Sequence, residues 1–177
     1  MTAVDFIRVE VGRLHKMLDA TLSELSVDQL HAVPAGNARA NTIAWGLFHC
    51  VRTEDNIVRF VLQDRRPPVW TEGGYAGRLG LPPVAQGTGM STSDAQALRL
   101  EDVNLFRDYM QRVWASSEDL FASAAPGFFD KSVTVKPLGE MPAFRAIGQV
   151  VVCHGLMHVG QMELARVLVG ANPVIGV

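Results

Sequence analysis

Residues 151–161 read VVCHGLMHVGQ and place His154 and His158 four positions apart within an almost uncharged stretch. Residues 146–162 contain no Asp, Glu, Lys or Arg, but they include two histidines and two glutamines. The stretch is slightly shorter than the roughly 20 apolar residues of a membrane span, so it predicts a buried helix in a helical bundle and no membrane segment. The apolar residues around the histidine pair are Val150, Val151, Val152, Leu156, Met157, Val159, Met162 and Leu164.

Two imidazoles at this spacing can reach one ion. Positions i and i+4 of a helix differ by about 40° in azimuth and about 6 Å in height. A buried imidazole nitrogen without a partner costs about 1–3 kcal/mol, and a shared cation would satisfy one nitrogen of each ring. The alternative is that the two histidines hydrogen-bond within the core and hold no ion.

Hydrophobic spacing predicts four long helices. The first helix is predicted at about residues 4–25 and the third at residues 101–123. The second begins after Asn41 or Thr42 as its N-cap and ends before Pro67, and the fourth runs from near Pro142 to Gly170. Residues 64–92, rich in Pro and Gly, form a long connection, and residues 128–142 are expected to contain a short extended stretch. We therefore predict an all-α fold, a four-helix bundle with a long connection between helices 2 and 3, as a single domain over residues 1–177.

Composition excludes several classes of protein. The net charge is -2, the charged fraction is 19%, and the arginines are scattered, so a nucleic-acid surface is not expected. Asp5, Arg8, Glu10 and Arg13 interrupt the apolar run that a signal peptide needs, which predicts a cytoplasmic protein. In that compartment Cys50 and Cys153 are expected to be small buried thiols.

A third metal ligand is suggested by His49 in the second helical pattern. It lies among Ile43, Trp45, Leu47, Phe48 and Val51, so an ordinary core histidine is the competing interpretation. Facing helices assemble metal sites in bundle cores, and taken together the histidines favour such a site. Gly148, Gly155 and Gly160, each costing about 0.5–1 kcal/mol in a helix, predict the close approach of a helix or a ligand. His15 and His31 are not expected in the site.

Familiar catalytic motifs are absent from the sequence. The Glu-x-x-His pair of di-iron bundles does not occur, and Gly155 occupies the position of the glutamate in a zincin motif. Neither a Gly-x-Ser-x-Gly motif, a P-loop nor a dinucleotide fingerprint is found.

Two segments, NTIAWGLFHCVRTED (41–55) and HGLMHVGQMELARVLVG (154–170), resemble the DinB/YfiT-like superfamily of metal-binding four-helix bundles. The resemblance extends loosely over nearly the whole chain. It implies a divalent ion held by His49, His154 and His158, with water or substrate completing the coordination, and it implies a homodimer. Members include mycothiol- or bacillithiol-dependent S-transferases and maleylpyruvate isomerases, together with proteins of no known activity.

The resulting hypothesis is a metal-dependent enzyme, a low-molecular-weight-thiol S-transferase or a hydrolase, that acts on a small molecule. Zinc is the first choice of ion, with nickel, iron or manganese as alternatives, and a low-molecular-weight thiol is the expected co-substrate. Gln161 is a candidate catalytic residue. Glu54 and Asp55 are candidates to orient an imidazole, and Trp70, Tyr75 and Arg78 of the long connection are candidates to bind substrate. The alternative is a non-catalytic bundle or dimer module with a structural metal or none.

Overall fold

The computed structural model describes residues 1–35 and 37–175 of the chain, so Gly36 and residues 176–177 of the predicted domain lie outside the described residues. Four long helical segments run through the described part. They are α1 (Ala3–Leu22), α3 (Ile43–Asp55) continued by a π-helix (Asn56–Val61), α7 (Val103–Ser123), and α8 (Ala143–Ala146), which passes through a π-helix (Ile147–Cys153) into α9 (His154–Leu168). No described helix is both long and apolar enough to cross a membrane.

Shorter elements join these segments. They are α2 (Val27–His31), α4 (Val69–Glu72), α5 (Tyr75–Arg78), α6 (Thr92–Ala97) and a 3-10 turn (Phe128–Asp130). Strands β1 (Ser132–Val135) and β2 (Gly139–Pro142) form an antiparallel hairpin in which Val133 pairs with Met141. The protein is therefore mostly helical, and the all-α prediction needs one correction. The extended stretch expected near residues 128–142 is a two-stranded ribbon, because Val133, Val135 and Met141 bury one face of it.

Local chemistry explains most helix limits. Thr42 caps α3 by accepting a hydrogen bond from the backbone N–H of Trp45 at 3.1 Å, and Asp102 caps α7 in the same way. The second long segment ends at Val61, before the prolines that were expected to end it. Asp64 and Arg65 adopt left-handed backbone there, with φ of 51° and 64°, so the chain has already turned away from the helix axis.

The core is formed where the long segments pack against one another. α3 and α9 are in contact, α1 packs against both α9 and α7, and α3 packs against α7. Leu14, Leu18, Leu47, Phe48 and Phe106 are buried at these contacts. Cys50 is buried as expected, but the prediction for Cys153 is wrong. Neighbouring helical residues point about 100° apart, and Cys153 is exposed while His154 faces inward.

Two glycines of α9 give a matched test of helix packing. A Cβ added at Gly155 would lie 2.6 Å from Cδ2 of the buried Leu14, whereas nothing lies within 4 Å of one added at Gly160. We expect Gly155→Ala to destabilise the protein by about 1–2 kcal/mol, because the buried Leu14 side chain would have to shift within the core. Gly160→Ala is expected to stabilise it by about 0.5–1 kcal/mol. Urea unfolding measures both, and equal effects would contradict the packing described.

Candidate metal centre

The three histidines come together because α3 and α9 approach closely. A Cβ at Gly46 would lie 2.7 Å from Sδ of Met162, so Gly46 permits this contact one turn before His49. The π-helix of residues 147–153 ends immediately before His154, and π segments of this kind often accompany functional sites. His158 follows one α-helical turn later.

The imidazoles converge through their Nε2 atoms. Nε2 of His154 lies 2.9 Å from Nε2 of His49 and 3.1 Å from Nε2 of His158. One nitrogen from each ring lies within 4.8 Å of the others, and the indole of Trp45 stacks on His49 at 4.9 Å between ring centroids. The predicted ligands His49, His154 and His158 are therefore neighbours in the fold.

The outer nitrogens determine which atoms face inward. Nδ1 of His49 lies 2.8 Å from the backbone oxygen of Gln86, an acceptor, so this nitrogen must carry the proton. Nδ1 of His158 likewise donates to Oε1 of Gln161 at 2.8 Å. Both rings consequently present unprotonated Nε2 atoms to the centre. Nδ1 of His154 is buried and has no hydrogen-bond partner among the described residues.

This donor set fits a divalent ion. Zinc–imidazole bonds of about 2.0–2.1 Å in a tetrahedral arrangement place the ligand nitrogens about 3.3 Å apart, close to the two spacings observed. Without a cation, Nε2 of His154 could donate only one proton, although the Nε2 atoms of both His49 and His158 need a donor. The inward lone pairs of His49 and His158 are therefore better matched by an ion than by hydrogen bonds alone.

Burial keeps these imidazoles neutral. It is the main cause that lowers the pKa of His49 and of His158 below the ordinary value of 6.5. In His154, burial and then the charges of the two other rings lower the pKa to about 4. Neutral imidazole is the form that binds metal, so the site is ready for an ion at neutral pH.

The lowered pKa values predict acid sensitivity of the metal-free protein. The unfolded chain binds protons from about pH 6.5, whereas folded His154 binds one only near its pKa of about 4, so stability is lost as the pH falls through this window. The measurement is the urea concentration at the unfolding midpoint, taken at several pH values between about 6.5 and 4. As the pH is lowered, we expect this concentration to fall more steeply in the metal-free wild type than in a variant with all three histidines changed to alanine. Parallel profiles would contradict this expectation.

Comparisons with known proteins agree with the geometry. The model of the DinB superfamily matches residues 11–162, which is most of the chain. The chain belongs to the DinB superfamily. A crystal structure of a conserved protein from Enterococcus faecalis shares the fold, with a TM-score of 0.80 and 16% identity over 96% of this chain and 98% of that chain. No curated protein matches the sequence.

In this DinB protein, the side chain of Gln161 bonds Nδ1 of His158 and orients that ring, and the catalytic role of Gln161 stays a prediction. Glu54 and Asp55, predicted to orient an imidazole of the site, face elsewhere. Glu54 accepts hydrogen bonds from His15 and Ser117, at 2.8 and 2.5 Å. Residues five and six positions after His49 are rotated by about 140° and 120° from it, so helical geometry turns both carboxylates away from the site.

The predicted substrate residues Trp70, Tyr75 and Arg78 do not line the site. Trp70 and Tyr75 are buried and pack in a cluster with Tyr109, and Arg78 lies over the ring of Tyr75. Burial of their large apolar surfaces in the core is favourable, and it places these side chains away from the histidines.

A different part of the same connection reaches the histidines. The backbone oxygen of Gln86 accepts from His49, and a Cβ at Gly87 would lie 2.8 Å from Nδ1 of His49. Gly87 has φ of 88°, a conformation that favours glycine and brings the loop against the ring. In the sequence, the glycines at positions 87 and 89 were the sign that the loop backbone could approach a neighbouring side chain closely.

Cavities lie on both sides of the DinB histidines. The larger, of about 1030 Å³, is bordered by His49 and His154 together with Thr53, Gln86 and residues of the β-hairpin. The smaller, of about 270 Å³, is bordered by His158, Gln161, Trp45 and Arg39 among others. Sequence reasoning missed Thr53, although its position four residues after His49 places it on the same helical face.

Proposed function

We propose that this DinB protein is a metal-dependent enzyme that acts on a small molecule, with one divalent ion held by His49, His154 and His158. Zinc is the first expectation, and nickel, iron or manganese are alternatives because imidazole ligands suit several of these ions. The proposal takes the four long helical segments as a four-helix bundle of a single domain.

The observation that carries the proposal is three converging imidazoles beside a large cavity. Structural zinc sites have four protein ligands, whereas catalytic sites have three and keep a position open. Among the residues that the structure describes, the ligand group consists of three histidines and excludes Cys153. A three-ligand group next to a cavity of about 1030 Å³ favours an enzyme over a structural metal site.

The surrounding residues of the chain hold the ligands in place. Gln86 and Gln161 keep the protons of His49 and His158 on Nδ1 and fix the ring orientations. Trp45 covers one face of His49 with its indole. When bound, a divalent ion supplies Lewis acidity, which favours the deprotonated form of a thiol or of water at neutral pH.

Transfer of a low-molecular-weight thiol is the reaction that we favour. Such a transfer needs room for two molecules, and cavities border the cluster at His49 and His154 on one side and at His158 on the other. Hydrolysis is the second candidate, because the same ion would equally favour hydroxide. It requires room for one organic molecule only.

The test compares the zinc-loaded wild type with the variant in which all three histidines are alanine. Mycothiol, bacillithiol or cysteine is supplied with 1-chloro-2,4-dinitrobenzene as electrophile, and 4-nitrophenyl acetate alone serves as the hydrolysis substrate. We expect a thiol-dependent rate at least about tenfold above that of the variant. A rate without thiol would favour the hydrolase. Absence of turnover, with unfolding on removal of the ion, would reject the enzyme in favour of a structural metal.

A further inference from the structure

We propose that the larger cavity binds an elongated organic anion, whose anionic group lies between Arg65 and Lys136 and whose polar end lies at Thr53 beside His49. The inference rests on the proposed function in taking the histidine end as the reacting end. It adds to that function a substrate class, an anion with an apolar body, and a substrate-binding residue, Thr53.

The cavity runs along the second long helical segment. Thr53, Asn56, Phe60 and Arg65 all border it, so it extends from one turn beyond His49 to the end of that segment. At about 1.5 Å per residue or less in the π-helical part, Thr53 and Val61 are separated by roughly 10 Å, and Arg65 follows the end of that segment. A molecule that contacts both ends must therefore be elongated.

Part of the cavity wall is apolar. Phe60 is 42% exposed and Leu138 is 51% exposed, and both border the cavity together with Val61, Val135 and Pro137. Exposed apolar side chains around a cavity favour a ligand with an apolar body, because the ligand removes their surface from water.

The walls of the cavity carry excess positive charge. Arg65 and Lys136 border it, and neither forms an ion pair with any carboxylate in the described parts of the chain. Asp64 is the one acidic residue among those that border the cavity, which leaves a net charge of +1 on its walls. The left-handed backbone at residues 64 and 65 is held by a hydrogen bond from the N–H of Arg65 to the oxygen of Phe60 at 2.9 Å. The charge of the walls therefore suits an anionic group.

The histidine end offers a free polar group. Thr53 is 5% exposed, and its hydroxyl has no hydrogen-bond partner among the described residues. A buried threonine on a helix can bond the carbonyl one turn earlier, as Thr21 does to Met17 at 2.8 Å. The Thr53 hydroxyl makes no such bond and borders the cavity beside His49. It is placed to hydrogen-bond a ligand.

A pair of fluorescent probes tests the charge requirement. The anion 8-anilinonaphthalene-1-sulfonate is titrated into zinc-loaded wild type, Arg65→Gln, Lys136→Gln and the double variant, beside its uncharged counterpart N-phenyl-1-naphthylamine. We expect the affinity for the anion to fall about threefold to fivefold in each single variant and about tenfold or more in the double variant. Binding of the uncharged probe is expected to stay unchanged. Arg66→Gln is the control, because Arg66 is exposed, bonds Gln63 and does not border this cavity.

Absence of anion binding, or equal affinities in wild type and double variant, overturns the proposal. The titration is repeated with the variant in which all three histidines are alanine. This control shows whether anion binding depends on the proposed metal site or only on Arg65 and Lys136. If that function is wrong, no turnover is found, yet the effect of Arg65 and Lys136 on the probe remains.

Thermal unfolding tests the free hydroxyl. Thr53→Val is expected to keep the melting temperature of the wild type or raise it, because the hydroxyl has no partner to lose. Thr21→Val is the matched control and is expected to lower it by several degrees. A drop of similar size in Thr53→Val would show that the hydroxyl is engaged within the fold, and it would remove Thr53 from the proposed site.

Discussion

Replacement of His154 by alanine is expected to abolish binding of the divalent ion at micromolar concentrations. His154 is the central ring of the cluster, with its Nε2 within 3.1 Å of the Nε2 atoms of both other histidines. Loss of a residue that only orients a ligand costs about 10–100-fold in metal affinity, so loss of a ligand is expected to cost more than about 100-fold. Elemental analysis after dialysis should find one ion per wild-type chain and none in the variant.

Metal-induced stabilisation gives an independent measure of the same loss. An ion at 100 times its dissociation constant stabilises a folded protein by about 2.7 kcal/mol, and this increment should disappear in His154→Ala. Gln161→Ala is expected to weaken binding by about 10–100-fold, because His158 would lose the acceptor of its Nδ1 proton. His31→Ala is the histidine control and should retain one ion, since His31 bonds the backbone of Val27 and Leu100 away from the cluster. Retention of the ion by His154→Ala would show that the cluster is not the metal site.

The largest loss of stability is expected for Asp55→Ala. The carboxylate of Asp55 is fully buried and accepts hydrogen bonds from the N–H groups of Val69 and Trp70, at 2.8 and 2.9 Å. It also accepts from the hydroxyl of Tyr109 at 2.9 Å and from Nη1 of the buried Arg52 at 3.2 Å. Removing it leaves a buried guanidinium without its counter-charge, together with two unpaired N–H groups. We expect a loss of about 3–5 kcal/mol in the free energy of unfolding.

Urea unfolding measures this loss against an exposed aspartate. Asp130→Ala, in the 3-10 turn, is expected to change the free energy of unfolding by less than about 0.5 kcal/mol. Asp55→Asn keeps the shape and one acceptor, so an intermediate loss is expected. The role assigned to Asp55 is wrong if Asp55→Ala and Asp130→Ala unfold at the same urea concentration.

Helical periodicity was sufficient to predict much of the site. The spacing of His154 and His158 and the apolar setting of His49 indicated the cluster before any contact was known. Counted from His49, the same periodicity excludes Glu54 and Asp55 from the site and includes Thr53. The angles between residues of one helix are local properties of the sequence, so these placements do not depend on the tertiary structure.

The long connection was predictable only in part. Residues 64–92 were predicted as a connection between helices, and they contain the two short helices α4 and α5. Its contact with the site, however, comes through the backbone of Gln86 and Gly87 rather than through Trp70, Tyr75 and Arg78. A backbone carbonyl carries no mark of its role in the amino-acid sequence, so this partner could not be predicted.

The sequence alone thus determined the long helices, the N-terminal cap of the second and the shared face of His154 and His158. Each of these follows from interactions between residues a few positions apart. Only the tertiary structure decided that His49 meets this pair, that Nε2 faces the centre in each ring, and that Arg65 and Lys136 border one cavity. These arrangements depend on how distant segments pack, because burial of their apolar faces sets the distances between helices and loops that local periodicity leaves open.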